Sequence, residues 1–303
     1  MYLEYYLKLL NFDSMPEFLK KYLETPSLLR LKKIGYFCGM DYASDNIYDF
    51  REYISRYDHS LTVSLLTWKL THNKTATIAA LFHDIATPCF SHVIDYMNKD
   101  YDKQESTEEK TALILKNDVY LLNCFKEDYI NIDDIINFKK FTVVDNERPK
   151  LCADRIDGII LTGIGWTKNI TLEEIADIVN NLYIFKNEDD EDEIGFKDLR
   201  TAIRVMKINE SIDKFCHSNE DNYMMELLAN ITRYAINNNY ITYDDLYTYG
   251  EEELLSYLEK TCDELNKLIK LFKNIRKEEM ENINLPHVKA RIIKPIVNKS
   301  RIM

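Results

Sequence analysis

Apolar positions recur every three to four residues through most of this chain, and strict alternation is confined to short stretches. That spacing predicts helices over residues 59–72, 75–85, 107–125 and 150–164. Two shorter helices are expected in 14–35 around Thr25-Pro26, where Thr25 suits an N-cap and Pro26 the first helical position. Thr171-Leu-Glu-Glu174 and Thr242-Tyr-Asp-Asp245 have the spacing of capping boxes. A helix is expected after the first, helices from Asp198 to about Asn239, and a further one over 251–260. The period changes at Leu182–Phe185 and Ile194–Phe196, which flank the acidic run Lys186–Glu193; this predicts a small β-hairpin with a solvated acidic tip. The β-branched stretch Val288–Val297 predicts a terminal strand. The expectation is a mainly α protein: a helical core in 1–165, and a helical C-terminal subdomain in 166–303 with a hairpin near 182–197 and a strand near 288–297.

Composition narrows the function. The 303 residues suffice for a sizeable core. A net charge of −12 argues against general nucleic-acid binding, which needs a basic surface, but leaves room for a small anionic substrate met by a local cluster of cations. The six cysteines are scattered without a CxxC and fit free thiols in a reducing compartment. No apolar run approaches the ~20 residues of a membrane span. The opening Met1-Tyr-Leu-Glu lacks a basic leader. A soluble, cytoplasmic protein is expected.

The chemistry lies in three separated stretches: Arg56-Tyr-Asp-His59-Ser, Leu81-Phe-His83-Asp84-Ile85 and Cys152-Ala-Asp154-Arg-Ile-Asp157. Each ionisable group adjoins apolar helical sequence, and burying it is costly without a partner. Two imidazoles and two carboxylates can hold one divalent cation while leaving positions open, which is the requirement of a catalytic rather than a closed structural site. Mixed His/Asp ligation suits manganese, iron, nickel, zinc or magnesium. Asp157, one turn after Asp154, either orients a ligand or is a surface acid. His217 and His287 have no ligand-spaced neighbours.

The order His59, His83-Asp84, Asp154 resembles the HD-domain phosphohydrolases, whose metal ligands fall in this pattern. The motifs are most similar to the deoxynucleoside triphosphate triphosphohydrolase branch. Arg56-Tyr-Asp-His59-Ser60-Leu61 looks like that branch's Arg-Phe-Glu-His-Ser-Leu. His83-Asp84-Ile-Ala-Thr87-Pro-Cys-Phe90-Ser91-His92 looks like its His-Asp-Leu-Gly-His-Gly-Pro-Phe-Ser-His. Glu24–Ile34 and the basic tail Val288–Pro295 are similar to segments flanking its core. The resemblance implies an HD helical bundle, metal binding by His59, His83, Asp84 and Asp154, and phosphate contact by Arg56. It also implies a role for His92 at the edge of the site; the other reading of His92 is a polar side chain satisfied by backbone. Asp84 or Asp154 would hold the attacking water; Arg155, Arg148 and Lys103, which no motif supports, either add positive charge or are surface residues.

The sequence departs from the branch at Thr87 and Thr107, which stand where it has histidines, leaving proton donation to His92, Glu108 or water. It departs again at Tyr36, in place of a sugar-reading glutamine, and at Gly158, in place of a tyrosine. The implied function is metal-dependent hydrolysis of a phosphate ester or anhydride in a nucleotide-like substrate, with Tyr36 lining its site. The alternative is a nucleotide-binding regulatory protein with little turnover. A homo-oligomer is compatible with the resemblance.

Overall fold

The structure, a computed structural model, describes residues 1–101, 110–283 and 289–302. Lys103, Thr107, Glu108, His287 and Val288, considered above, lie outside these residues. The helices are α1 (Tyr2–Leu9), α2 (Glu17–Leu23), α3 (Pro26–Arg30), α4 (Arg56–Thr71), α5 (Lys74–Phe82), α6 (Val93–Asn98), α7 (Thr111–Asn117) and α8 (Val119–Asp128). They continue as α9 (Ile132–Ile136), α10 (Ala153–Gly165), α11 (Leu172–Asn181), α12 (Leu199–Cys216), α13 (Asn219–Asn237), α14 (Glu251–Thr261) and α15 (Asp263–Asn274). A four-stranded sheet completes the described fold, in the order β1 (Leu182–Lys186), β2 (Asp192–Phe196), β3 (Ile296–Val297), β4 (Ser300–Arg301). The fold is mainly α, as expected.

Local chemistry sets the ends of the helices that matter most. Ser55 caps α4 and Asp58 returns the bond to the Ser55 N–H, a reciprocal box at the edge of the site. Thr171 and Glu174 form the box expected at α11. Thr242 and Asp245 also bond reciprocally, but they open a 3-10 turn, Asp244–Tyr247, rather than a long helix. Thr25 precedes α3 as expected, yet its hydroxyl bonds back to the Tyr22 carbonyl and leaves the cap unfilled. Capping side chains divide two helical regions, and the first of these was expected as one helix. Asp118 caps α8 and divides the 107–125 region, while Ser218 caps α13 and divides 198–239.

Helix α4 is buried on nearly every side from Arg56 to Thr67, which is why its sequence shows so little amphipathic contrast. Its hydroxyls are satisfied internally or by its neighbour: Ser64 donates to the Thr77 carbonyl of α5 at 2.8 Å, and Thr67 to Val63 of its own helix at 2.8 Å. α5 and α10 both pack on α4, so the three stretches that carry the ionisable groups converge.

The hairpin pairs β1 with β2 in antiparallel register, Leu182 opposite Phe196. The terminal strand is shorter than expected: Ile296–Val297 pairs parallel with β2, and 289–295 is irregular. Gly195 permits this pairing, since a Cβ there would lie 2.4 Å from the Ile296 carbonyl oxygen. The acidic tip is not simply solvated. Arg301 binds Glu188 and the fully buried Glu193, and Lys150 binds Asp189 and Glu191. The acids of the tip thus tie the tail and the loop before α10 to the hairpin.

Candidate metal centre

His59 lies in the first turn of α4 and Asp154 in the first turn of α10. His83 and Asp84 lie just beyond α5, in a turn rather than in the helix predicted to run to residue 85. The turn lets both neighbours address one point. His59 Nε2 is 3.1 Å from Asp154 Oδ1 and 3.7 Å from Asp84 Oδ2. His83 Nε2 is 3.6 Å from Asp154 Oδ1 and 3.7 Å from Asp84 Oδ1. Ligand atoms of His59, His83 and Asp154 all lie within 4.8 Å of one another, a spacing that one cation can bridge.

The other ring nitrogens are committed elsewhere. His59 Nδ1 is 2.8 Å from Asp157 Oδ2, and Asp157 Oδ1 accepts from the Tyr6 hydroxyl at 2.7 Å. Asp157 is fully buried, so of its two sequence readings the orienting one fits. His83 Nδ1 bonds the Ala80 carbonyl at 2.7 Å. Each Nε2 is thereby left facing the shared centre, and that of His83 is buried without a hydrogen-bond partner. An orphaned, inward-facing nitrogen beside two carboxylates fits a divalent cation.

The charges of the centre depend on one another. Burial opposes protonation of His83, but the carboxylates of Asp84 and Asp154 outweigh it and push the imidazole up to about 10. Burial would raise Asp84, yet the charges of His83 and Arg56 hold it down at about 2. Asp154 is likewise held well below the usual carboxylate range by the two imidazoles, against its burial. Protons occupy this cluster where a cation would, and the two must compete.

Arg56, also in the first turn of α4, donates to Asp84 Oδ2 at 2.9 Å, to Ser91 Oγ at 3.2 Å and to the Tyr36 carbonyl at 3.4 Å. It fixes Asp84 while still lining the cavity. The Tyr36 ring lies 4.8 Å from the Arg56 guanidinium and 4.9 Å from the His59 ring. His92 points its Nδ1 at Asp95, 2.8 Å away, and lines the same cavity. It is therefore bonded to a side chain and not, as its second reading had it, to backbone. Arg155 lines the cavity too, but its terminal nitrogens are committed to the carbonyls of Lys150 and, at 2.7 Å, Asn146, so it braces the 145–150 loop. Thr87, in place of the branch's histidine, is buried with its carbonyl accepting from Arg30 at 2.7 Å. Glu108 lies outside the described residues.

Two features escaped the sequence reading. Phe90 and Ser91 both adopt left-handed backbone, at φ 65° and 46°, a costly pair for non-glycine residues that sets Ser91 against Arg56 and His92 into the cavity. Glu251, at the start of α14, accepts from the N–H groups of Gly35 and Phe90, both at 2.8 Å. It buckles together the two segments that carry Tyr36 and His92. Glu251 reads as a helix-start acid in the sequence, and nothing local reveals this distant role.

The cavity beside the centre has a volume of about 920 Å³. Its walls include an aromatic group of Phe37, Tyr48, Phe50 and Trp166, with Phe37 stacked on Phe50 at 4.7 Å and Tyr48 on Phe50 at 5.4 Å. Cationic side chains line other parts of it.

Residues 56–137 match the HD domain family. The match covers α4, α5 and the His83-Asp84 turn; Asp154 follows it on α10. The chain is 26% identical over 204 residues to the uncharacterized protein YdhJ of Bacillus subtilis, an alignment covering 66% of this chain and 60% of that protein. It is 23% identical over 248 residues to the metal-dependent phosphohydrolase cns2 of Cordyceps militaris, covering 80% of this chain and 71% of that one. The chain thus spans somewhat less than two thirds of the Bacillus relative's length. Among the described residues, no helix is long and apolar enough to cross a membrane.

Proposed function

We propose that this HD domain is a metal-dependent phosphohydrolase that cleaves a phosphate ester or anhydride of a nucleotide-like substrate. The observation that carries this reading is the convergence of His59 Nε2 and His83 Nε2 on Asp84 and Asp154, with both Nδ1 atoms committed elsewhere. The similarity to a metal-dependent phosphohydrolase supports it. The nucleotide-like substrate class rests on the motif resemblance to the triphosphohydrolase branch, and on a cavity that offers aromatic walls to a flat ring and cations to phosphate.

His59, His83, Asp84 and Asp154 would hold the cation, which would supply Lewis acidity toward a phosphoryl oxygen and water. Asp157 and Tyr6 hold the His59 ring, and Ala80 holds that of His83. Arg56 keeps Asp84 ionised and oriented, and its position on the cavity wall lets it oppose charge that grows on a phosphoryl group. His92, oriented by Asp95, is placed to move a proton at the cavity edge in the absence of an imidazole at Thr87.

The buried Thr87 also motivates the second reading, a protein that binds nucleotide with little or no turnover. A panel of nucleoside mono-, di- and triphosphates and signalling nucleotides, each with Mn²⁺, Mg²⁺, Ni²⁺ or Zn²⁺ and with products resolved by mass, separates the two. Metal-dependent product supports the hydrolase. Nucleotide binding without product under any condition would replace it with the regulatory reading.

A further inference from the structure

The cavity has a cationic wall that the metal centre does not use. Arg148, on the loop before α10, and Lys289 and Arg291, on the tail, line the same cavity as the metal ligands. The Lys294 N–H donates to the Pro149 carbonyl at 2.9 Å, so the tail runs alongside the loop and is fastened to it. Arg291 is pinned further: its N–H donates to Asp213 at 2.7 Å and its carbonyl accepts from the Asn209 side chain.

Each of the two half-buried guanidinium groups keeps one buried nitrogen without a hydrogen-bond partner. Arg148 Nη1 and Arg291 Nε lie away from solvent with no hydrogen-bond partner, Arg291 beside the Cys216 thiol. Burial and the neighbouring charges of Arg155 and Arg291 push Arg148 down to about 10. Burial and the charges of Arg148 and Arg291 likewise lower Lys289. The nearby acid Asp145 lies 3.9 Å from Arg155, Glu147 is exposed, and Asp154 faces the two histidines, while Asp95 attracts Lys289 and Asp221 attracts Arg291. Three mutually repelling cations on one cavity wall, two of them with an unpartnered buried nitrogen, form a site suited to an anion in a chain of net charge −12.

We propose that Arg148, Lys289 and Arg291 form a second anion site, which holds a phosphoryl group of the substrate other than the one at the metal centre. The proposal rests on the hydrolase reading for the word substrate; the site itself does not. It makes the protein selective for molecules that carry two phosphoryl groups over simple monoesters.

Pyrophosphate binding to the metal-free 303-residue chain, followed by titration calorimetry, reads this site. The wild type should bind it. Arg148→Gln and Arg291→Gln should each weaken binding by at least about tenfold, Arg291→Lys should recover part of the loss, and His83→Ala with Asp84→Ala should retain it. Unchanged manganese uptake and circular dichroism show that the arginine variants keep the fold and the metal centre. Wild-type affinity in both arginine variants, or its loss in the His83/Asp84 variant alone, would overturn the site. With manganese present, adenosine 3′,5′-bisphosphate should bind at least about tenfold tighter than either monophosphate, and the advantage should vanish in Arg291→Gln. Simultaneous binding of pyrophosphate and the bisphosphate would show a site for a separate anion and overturn the assignment to substrate. Failure to take up metal would count against the hydrolase while leaving the metal-free titration decisive for the anion site.

Discussion

Tyr36 and Gly158 share one space: a Cβ on residue 158 would lie 2.7 Å from the Tyr36 hydroxyl oxygen. The two departures noted in the sequence are thus a single rearrangement. A tyrosine brought in from the segment before α4 occupies the room left by a missing side chain on α10, and its ring lies against His59 and Arg56. Gly158→Ala should displace that ring at a cost of about 1–3 kcal/mol, as is usual for overpacking. The check is thermal unfolding, with substrate KM for the altered cavity. A neutral effect on both would mean that Tyr36 moves aside freely.

Asp157 should govern metal affinity without touching the metal. It holds His59 Nδ1, so Asp157→Asn should weaken manganese binding by roughly 10–100-fold while the helical content persists. Tyr6→Phe removes one bond to the same carboxylate and should have the smaller effect. Metal titration of both variants tests the order, and equal affinity to wild type in Asp157→Asn would contradict the role.

Metal uptake should release protons. With the His83 imidazole at about 10, the metal-free centre carries protons at pH 7 that a cation must displace. Manganese affinity should therefore rise with pH between 6 and 8 (roughly, given neutral-imidazole ligation). Calorimetry in buffers of different ionisation enthalpy counts the protons released; a count of zero would contradict the coupling.

Stability of the metal-free protein should fall as pH rises from mildly acidic to mildly basic. Burial, against the opposing Gly35 N–H, pushes Glu251 from 4.5 up to about 8, and burial pushes Asp41 from 3.8 up to about 7. The folded state then binds more protons than the unfolded one. The stabilising protonated form is fully present below the ordinary carboxylate pKa and is lost as pH rises through the folded value. Each group contributes a slope of at most about 1.4 kcal/mol per pH unit inside its window. His83 adds in the same direction between 6.5 and about 10. Glu251→Gln should flatten the slope between its two limits, with the loss of one backbone bond, to Gly35 or Phe90. Melting temperature against pH is the check, and an undiminished slope would contradict it.

The helical core was legible where the apolar period is clear, as at α10, and where a cap adds to it, as at the Thr171 box that opens α11. The helix break at Asp118 was not, because a single capping side chain interrupts an apolar period that otherwise continues. Helices α1 and α15 were missed although both are amphipathic, being short stretches without a strong start signal. The convergence of His59, His83, Asp84 and Asp154 could be anticipated because metal chemistry restricts residue type and order. Glu251, Tyr6 and Arg291 could not, since their partners lie more than seventy positions away and no local pattern encodes such pairings. The β segments show the same limit: the hairpin is local, whereas β3 depends on Gly195 admitting a strand from the far end of the chain.

The most direct test is manganese-stimulated phosphate release from nucleotide substrates by the wild type beside His83→Ala with Asp84→Ala. The wild type should bind metal and release phosphate or oligophosphate only in its presence, and the double variant, still helical, should do neither. Equal turnover by the two proteins, or metal uptake undiminished in the variant, would contradict a catalytic centre built on these residues.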